Sequence, residues 1–482
     1  MEGIRYLSCN KILYKRTGST KTLINSLRKR YVHNNFKKKT CEQVLNTVNK
    51  LHNEKRYFNF SCSFTKSSRW NICMNRHNSR FFSSNESNKN LYLENYANIR
   101  KHINSIDNEE SVIMNILKEK TYECGLRNTI TLITDTSILE KKKGILFRGK
   151  PVEKILREFP KWDNTCEYPM AEAMLWFLLT KEVPAVDDLK LLSRELYCRA
   201  KKIPQFVFDF IDNIPPFTHP MSQLVSTVSF LESLSLFKYK YSEGILKTDY
   251  WKYILEDAIS LISQIQVIGA YIFKRTFINN DIRKGEGMNL DLDLDWSANF
   301  AKLIGYENKE VQDLLRLYFL LHSDHEGGNA SAHVSHLIGS TLGNPYLSYS
   351  GCVIALSGPL HGLANQECLK FLLDIKKQLD DPIIQILEMC YKVIPGILSA
   401  TGKVKNPYPN VDCSSGSVFH HYGIKYPEYY TVLFALSRSI GVMSQLVLSR
   451  GLMYPLERPK SVDIYNLRKI CEKNYVKIEE YE

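Results

Sequence analysis

Residues 321–366 read LHSDHEGGNASAHVSHLIGSTLGNPYLSYSGCVIALSGPLHGLANQ. The stretch holds five of the chain's twelve histidines: His322, His325, His333, His336 and His361. Between them lie mostly small and apolar residues. Histidine is the side chain that changes charge nearest neutral pH, and small residues let backbones approach closely. The combination predicts a site inside a packed helical core. The segment ending at His322 is apolar nearly all round (Leu314, Leu315, Leu317, Tyr318, Phe319, Leu320, Leu321), the pattern of a buried helix. Gly327-Gly328-Asn329 breaks it, and a helix restarts over 330–342. Gly358-Pro359 ends a further helix, and the next runs over 363–379. His361 therefore sits at a helix N-terminus, where the dipole disfavours a cation and the imidazole is expected to be neutral. The other four histidines include pairs three apart, compatible with a metal. Yet no Asp/Glu–His set has metal-site spacing, so no metal is expected, and His322, His333 and His336 are read as packing histidines.

Upstream, the pattern is helix after helix: 171–180, 186–202, 221–236, 249–277 and 308–322. Pro184, Pro215, Pro216 and Pro220 punctuate them. A further helix is expected over 91–120. Residues 124–148 differ, being rich in Thr and Ile, locally alternating, with Gly144 near a turn. They predict one short β-hairpin. No strand–helix alternation, Walker-type loop or G-x-G-x-x-G occurs, which argues against a doubly wound nucleotide-binding fold. The expected class is mainly all-α, multi-helical, with that hairpin.

The net charge is +13. Residues 1–82 carry 18 Lys/Arg against three acids, an excess of 15, so the remaining 400 residues sum to −2. The body is nearly neutral, which argues against nucleic-acid binding. Acid depletion with interleaved Leu/Ile and Lys/Arg is the composition of an organelle transit peptide. Arg80-Phe81-Phe82-Ser83-Ser84 resembles a mitochondrial processing site. The twelve cysteines are scattered with no C-x-x-C pair, which points to reduced thiols in an intracellular compartment. No uninterrupted apolar run reaches the ~18–20 residues that span a bilayer, and no membrane role is expected.

Downstream, residues 403–416 read KVKNPYPNVDCSSG, a stiff proline loop that presents Asp412. A long apolar helix over 428–450 carries Arg438 in its middle. Such an arginine either snorkels or meets an anion. Arg458 sits on the stiff loop Pro455-Leu456-Glu457-Arg458-Pro459. Arginine forks grip carboxylates, and a neutral histidine with a carboxylate base suits proton abstraction beside a carbonyl. The residue types thus point to a dicarboxylic substrate and enolate chemistry.

The motifs HPMSQL (219–224), HSDHEGGN (322–329), GPLHGLANQE (358–367), KNPYPNVD (405–412), YYTVLFALSRSIG (429–441) and PLERPKS (455–461) together resemble the citrate synthase family of the eukaryotic mitochondrial type. The resemblance runs from about residue 91 to the C-terminus. It implies a helical homodimer in the mitochondrial matrix that condenses acetyl-CoA with oxaloacetate in the tricarboxylic acid cycle, with no cofactor beyond the acetyl-CoA co-substrate. It implies a transit segment (1–82), handled by the import and processing machinery, and a large domain (83–361 and 418–482) around a small one (362–417). His361 resembles the histidine that stabilises the enol, and Asp412 the base that takes the methyl proton. His325, Arg438 and Arg458 resemble oxaloacetate ligands, Arg458 reaching the partner subunit. Arg127, Lys403 and Asn410 of the NPYPN loop resemble parts of the CoA site. A 2-methylcitrate synthase using propionyl-CoA would share these motifs.

Three departures stand out. The family carries a G-x-G-H element followed by D-P-R before the KNPWPNVD loop; they supply a carbonyl-polarising histidine and a carboxylate-gripping arginine. This chain has no G-x-G-H and passes from Leu379 through Asp380-Asp381-Pro382 straight into IIQILEMCYKVIP. Tyr239 stands where the family has a CoA-contacting arginine, flanked by Lys238 and Lys240. Asp-Cys-Ser-Ser-Gly (412–416) replaces a common Asp-Ala-His-Ser-Gly. A member so shortened is expected to be slower or to act by binding alone. His420 and His421 are the spare histidines nearest the gap.

Overall fold

The computed structural model describes residues 132–140, 143–279, 281–379, 383–400, 407–409 and 411–459. The basic N-terminal segment and the helix expected over 91–120 lie outside these residues, as do Arg127, Lys403 and Asn410. The chain is mainly helical with one small sheet. In order it forms β1 (Ser137–Glu140), β2 (Gly144–Phe147), β3 (Lys150–Pro151), α1 (Val152–Glu158), α2 (Ala173–Thr180), α3 (Val186–Ala200), α4 (Gln205–Asn213) and α5 (Pro220–Phe230). There follow α6 (Leu236–Ser242), α7 (Tyr250–Phe273), α8 (Trp296–Leu303), α9 (Lys309–Leu321), α10 (Ala330–Ser340) and α11 (Pro345–Leu356). The last are α12 (Ala364–Leu379), α13 (Ile383–Ala400), α14 (Val411–His421) and α15 (Tyr430–Gly451).

The hairpin forms as expected, β1 pairing antiparallel with β2, Ser137 opposite Phe147. The sequence reading missed the two-residue β3. Arg148 and Gly149 both have positive φ (47° and 80°), the geometry of a tight turn that returns the chain on itself. Arg148 tolerates it because its buried side chain is anchored: Nε donates to Leu178 O at 2.9 Å and Nη1 to Asp135 Oδ2 at 2.6 Å.

α15 is the axis of the body. Every residue from Tyr430 to Arg450 is buried, and α7, α11, α2, α9 and α10 pack around it. With the turn before it, Pro427–Gly451 is long and apolar enough to cross a membrane, yet its apolar stretch lies buried inside the fold. The uninterrupted-run criterion overlooks it because serines and Arg438 punctuate its apolar residues. Tyr429 Oη donates to Gly269 O of α7 at 2.7 Å, and Tyr349 Oη of α11 donates to Ala435 O at 2.6 Å. These buried tyrosines fix the register of the helices they join. The helix expected over 249–277 ends at Phe273 and continues as a π-helical turn, Lys274–Ile278. α12, α13 and α14 pack on one another, and α12 reaches back to α15. Pro395 lies inside α13, a helix that the sequence shows only as an apolar run.

Candidate active site

The site is built on the loop between α9 and α10. His322 closes α9, its N–H bonding Tyr318 O at 3.0 Å. Asn329 caps α10 by accepting from Ala332 N at 3.1 Å, while its amide donates to the carbonyls of His325 and Glu326. Two elements clamp the loop between these points. From β1, Ser137 Oγ donates to Asp324 Oδ2 and accepts from Glu326 N, both at 2.8 Å. From α15, Gln445 Nε2 donates to Asp324 Oδ1 at 2.6 Å, and Gln445 Oε1 meets His336 Nε2 at 2.7 Å. Gly441 lets α15 come this close: a Cβ there would lie 2.4 Å from Asp324 Oδ1 and 2.5 Å from Ser323 O. Its N–H donates to that carbonyl at 2.9 Å.

Arg438 lies one turn earlier and is buried, so it does not snorkel. Nε donates to His322 O at 3.0 Å, and the guanidinium lies over the Phe434 ring at 4.7 Å. Nη1 is buried with no hydrogen-bond partner among the described residues. Burial lowers its pKa, opposed by Asp324 and Asp412, and a guanidinium stays protonated regardless. A buried cation with an unused donor can take an anionic ligand without paying for new ordering. His325, half-buried, has Nδ1 without a hydrogen-bond partner among the described residues. Burial and the Arg438 charge hold its pKa below the ordinary value, which keeps the ring neutral.

Asp412 opens α14 and is buried against His322, whose Nε2 lies 3.5 Å from Oδ1. Burial pushes this carboxyl up; the facing His322 pulls it down most and Arg438 adds to that, and the net direction is below the usual carboxylate range. An anionic carboxylate inside a helical core is a competent base. His361 is buried in the turn before α12, with Nε2 3.0 Å from Ser331 Oγ. Ser331 in turn donates to Asn329 Oδ1 at 2.7 Å. His361 is thereby tied to the loop that carries His325. Gly362 permits the turn, since a Cβ would lie 2.2 Å from Leu356 O.

The structure therefore brings His325, His361, Asp412 and Arg438 around one loop. His322, read as a packing histidine, stands against Asp412. His333 and His336 lie away from that contact, His333 Nε2 at 3.4 Å from Glu457 Oε1 and His336 on Gln445. Arg458 is exposed, next to Glu457, whose N–H donates to Ser340 Oγ of α10 at 3.0 Å. His420 and His421 end α14, eight and nine residues from Asp412 and so about 12–14 Å along the axis. Tyr239 is exposed, and its flanking lysines engage acids, Lys238 with Glu232 and Lys240 with Glu243, each at 2.8 Å. Sequence reasoning missed Ser331 and Asn329. Their only signal was the polar residue between Gly328 and the restart of the helix, a capping position.

The family model described as "Citrate synthase, C-terminal domain" matches residues 125–380 and 376–460. The two matched stretches meet at the end of α12. A protein named probable citrate synthase, mitochondrial, from Glossina morsitans morsitans is 39% identical over 72% of this chain and 84% of its own length. The mitochondrial citrate synthase of Daucus carota is 40% identical over 73% and 83%, and that of Saccharomyces cerevisiae 36% over 76% and 85%. Among solved structures, citrate synthase from Pyrobaculum aerophilum superposes with a TM-score of 0.57 at 23% identity, covering 70% of this chain and 91% of that one. The ternary complex of the Thermoplasma acidophilum enzyme with carboxymethyl coenzyme A and oxaloacetate superposes at 0.55 with 20% identity, covering 72% and 97%.

Proposed function

The chain belongs to the citrate synthase family, and from that premise we propose that it condenses acetyl-CoA with oxaloacetate and water to give citrate and CoA. The observation that carries this reading is the Nη1 of buried Arg438, an unused cationic donor on the loop shared by His325, His361 and Asp412. Asp412 takes a proton from the acetyl methyl. His361 holds the thioester oxygen through Nδ1–H as the enol forms, with the Ser331 hydroxyl turned from Asn329 to donate to His361 Nε2. His325 and Arg438 orient oxaloacetate. The enol carbon attacks the ketone carbonyl, and water then cleaves the citryl thioester to release CoA. Arg458, exposed in one chain, is assigned to the site of the partner in a homodimer. Arg127, Lys403 and Asn410 are assigned to CoA. The relatives' mitochondrial names and the basic N-terminal segment support import into the mitochondrial matrix, with removal of residues 1–82, and a place in the tricarboxylic acid cycle. We assign 83–361 with 418–482 to a large domain and 362–417 to a small one, which the mutual packing of α12, α13 and α14 supports.

One observation favours a second reading. The sequence holds no G-x-G-H, and the two family-matched stretches abut at residues 376–380. A site without that donor to the ketone would be slower by about 10²–10³, or would bind its ligands without turnover. Purified full-length protein given acetyl-CoA separates these readings. Free thiol released only when oxaloacetate is added supports the enzyme. Oxaloacetate binding with no thiol release supports the binding protein. Faster release with propionyl-CoA would redirect the assignment to 2-methylcitrate synthesis.

A further inference from the structure

Cys413 follows Asp412 directly, and Cys368 lies in the second turn of α12. Both are buried free thiols, and their Sγ atoms are 3.4 Å apart. The helix crossing that holds them there is tight. Asn365 Nδ2 donates to Ser415 Oγ at 2.6 Å. At Gly416 a Cβ would come 2.2 Å from Asn365 Oδ1. Cys368 Sγ also donates toward Cys413 O at 3.4 Å. Two thiols so placed have to close by little more than 1 Å to reach the ~2.05 Å of a disulfide. We propose that Cys368 and Cys413 are a reversible disulfide-forming pair that locks α12 to α14 beside Asp412 under oxidation.

The chemistry balances with a peroxide as oxidant. The Cys413 thiolate attacks one peroxide oxygen, the O–O bond breaks, and water leaves after protonation. Cys368 then attacks the Cys413 sulfenic sulfur. The S–S bond forms as the S–O bond breaks, and a second water carries off the oxygen. Two thiols lose two electrons and the peroxide gains them. The hydrogen bond from Cys368 favours the Cys413 thiolate, the species that reacts. Intracellular disulfides of this kind are usually transient and redox-sensing rather than structural. The bond would tie the helix that follows His361 to the helix that carries Asp412, and would draw Asp412 from its 3.5 Å contact with His322. Loss of turnover on oxidation rests on the enzymatic reading above; formation of the bond does not.

The test uses reduced full-length protein exposed to hydrogen peroxide, blocked with N-ethylmaleimide and mapped by peptide mass. A Cys368–Cys413 crosslink that dithiothreitol reverses is expected, with a several-fold fall in any thiol-releasing activity that reduction restores. Cys368→Ala should remove the crosslink and leave Cys413 as a sulfenic acid that dimedone traps. Mapping the unaltered chain decides the point even if that variant misfolds. Over-oxidation of Cys413 without a crosslink, or a crosslink that instead joins Cys413 to Cys390, overturns the proposal. A chain that forms the crosslink yet has no activity when reduced sinks the enzymatic reading and leaves the pair standing.

Discussion

His322 and Asp412 face each other inside the helical core, both buried. His322 Nδ1 lies 3.1 Å from the carbonyl of Tyr318, which can only accept, so Nδ1 bears hydrogen. Nε2 faces Asp412 Oδ1 at 3.5 Å. Tyr318 stacks on the ring at 4.0 Å and Phe434 meets its edge at 5.2 Å, so the ring cannot turn away.

On the proposed reading, with Asp412 as the base, this pairing sets the acid limb of the reaction. His322 and Arg438 hold the Asp412 pKa down. The base is then active above its depressed pKa and lost as pH falls through it. His322→Gln should move the acid limb of kcat/KM to higher pH. A limb that stays in place removes His322 from the account.

Asp412→Asn keeps the shape and removes the proposed base. Turnover should fall by about 10²–10⁴, with oxaloacetate affinity within a few-fold of the parent. Calorimetric titration and thiol release measure the two separately. Retained turnover would remove Asp412 as the base.

Arg438→Lys keeps charge but loses the fork. One hydrogen bond to a charged group is worth about 1.5–3 kcal/mol, so oxaloacetate should bind about 10- to 150-fold more weakly. Unchanged binding would place the anion elsewhere.

Gly441→Ala tests the frame beneath the site. Its Cβ would lie within 2.5 Å of Asp324 Oδ1 and Ser323 O, and such overpacking costs about 1–3 kcal/mol. Urea unfolding should register that loss. An unchanged midpoint would mean that α15 does not approach the loop this closely.

Two desolvated histidines give stability a pH slope. Burial holds His325 and His336 below their ordinary value of 6.5. Between the depressed folded value and 6.5 the unfolded chain holds the extra protons, so stability rises with pH through that window and is lost on acidification. Urea midpoints at about pH 5.5 and about pH 7.5 measure the slope. His325→Gln should flatten part of it, and an equal slope contradicts the half-buried, neutral ring.

Much of this was legible from residue pattern. α9 and α15 declare themselves as long apolar helices, and the Thr/Ile alternation with Gly144 predicts the hairpin. Other features depend on partners distant in sequence. Arg148 adopts its turn because Leu178 and Asp135 hold its side chain. His322 faces Asp412 only because α14 folds back 90 residues later. A histidine spaced three residues from His325 gives no hint of that, so packing was the reasonable reading. The same limit applies to Cys368 and Cys413, which look like scattered thiols until α12 and α14 cross.

The most direct measurement is citrate itself. Purified full-length protein and its Asp412→Asn variant, matched for thermal unfolding, are given acetyl-CoA and oxaloacetate, and citrate is quantified against time. Citrate from the parent that depends on both substrates, and falls by at least about 10² in the variant, is the predicted result. A folded parent that makes none, or a variant that makes as much, contradicts it.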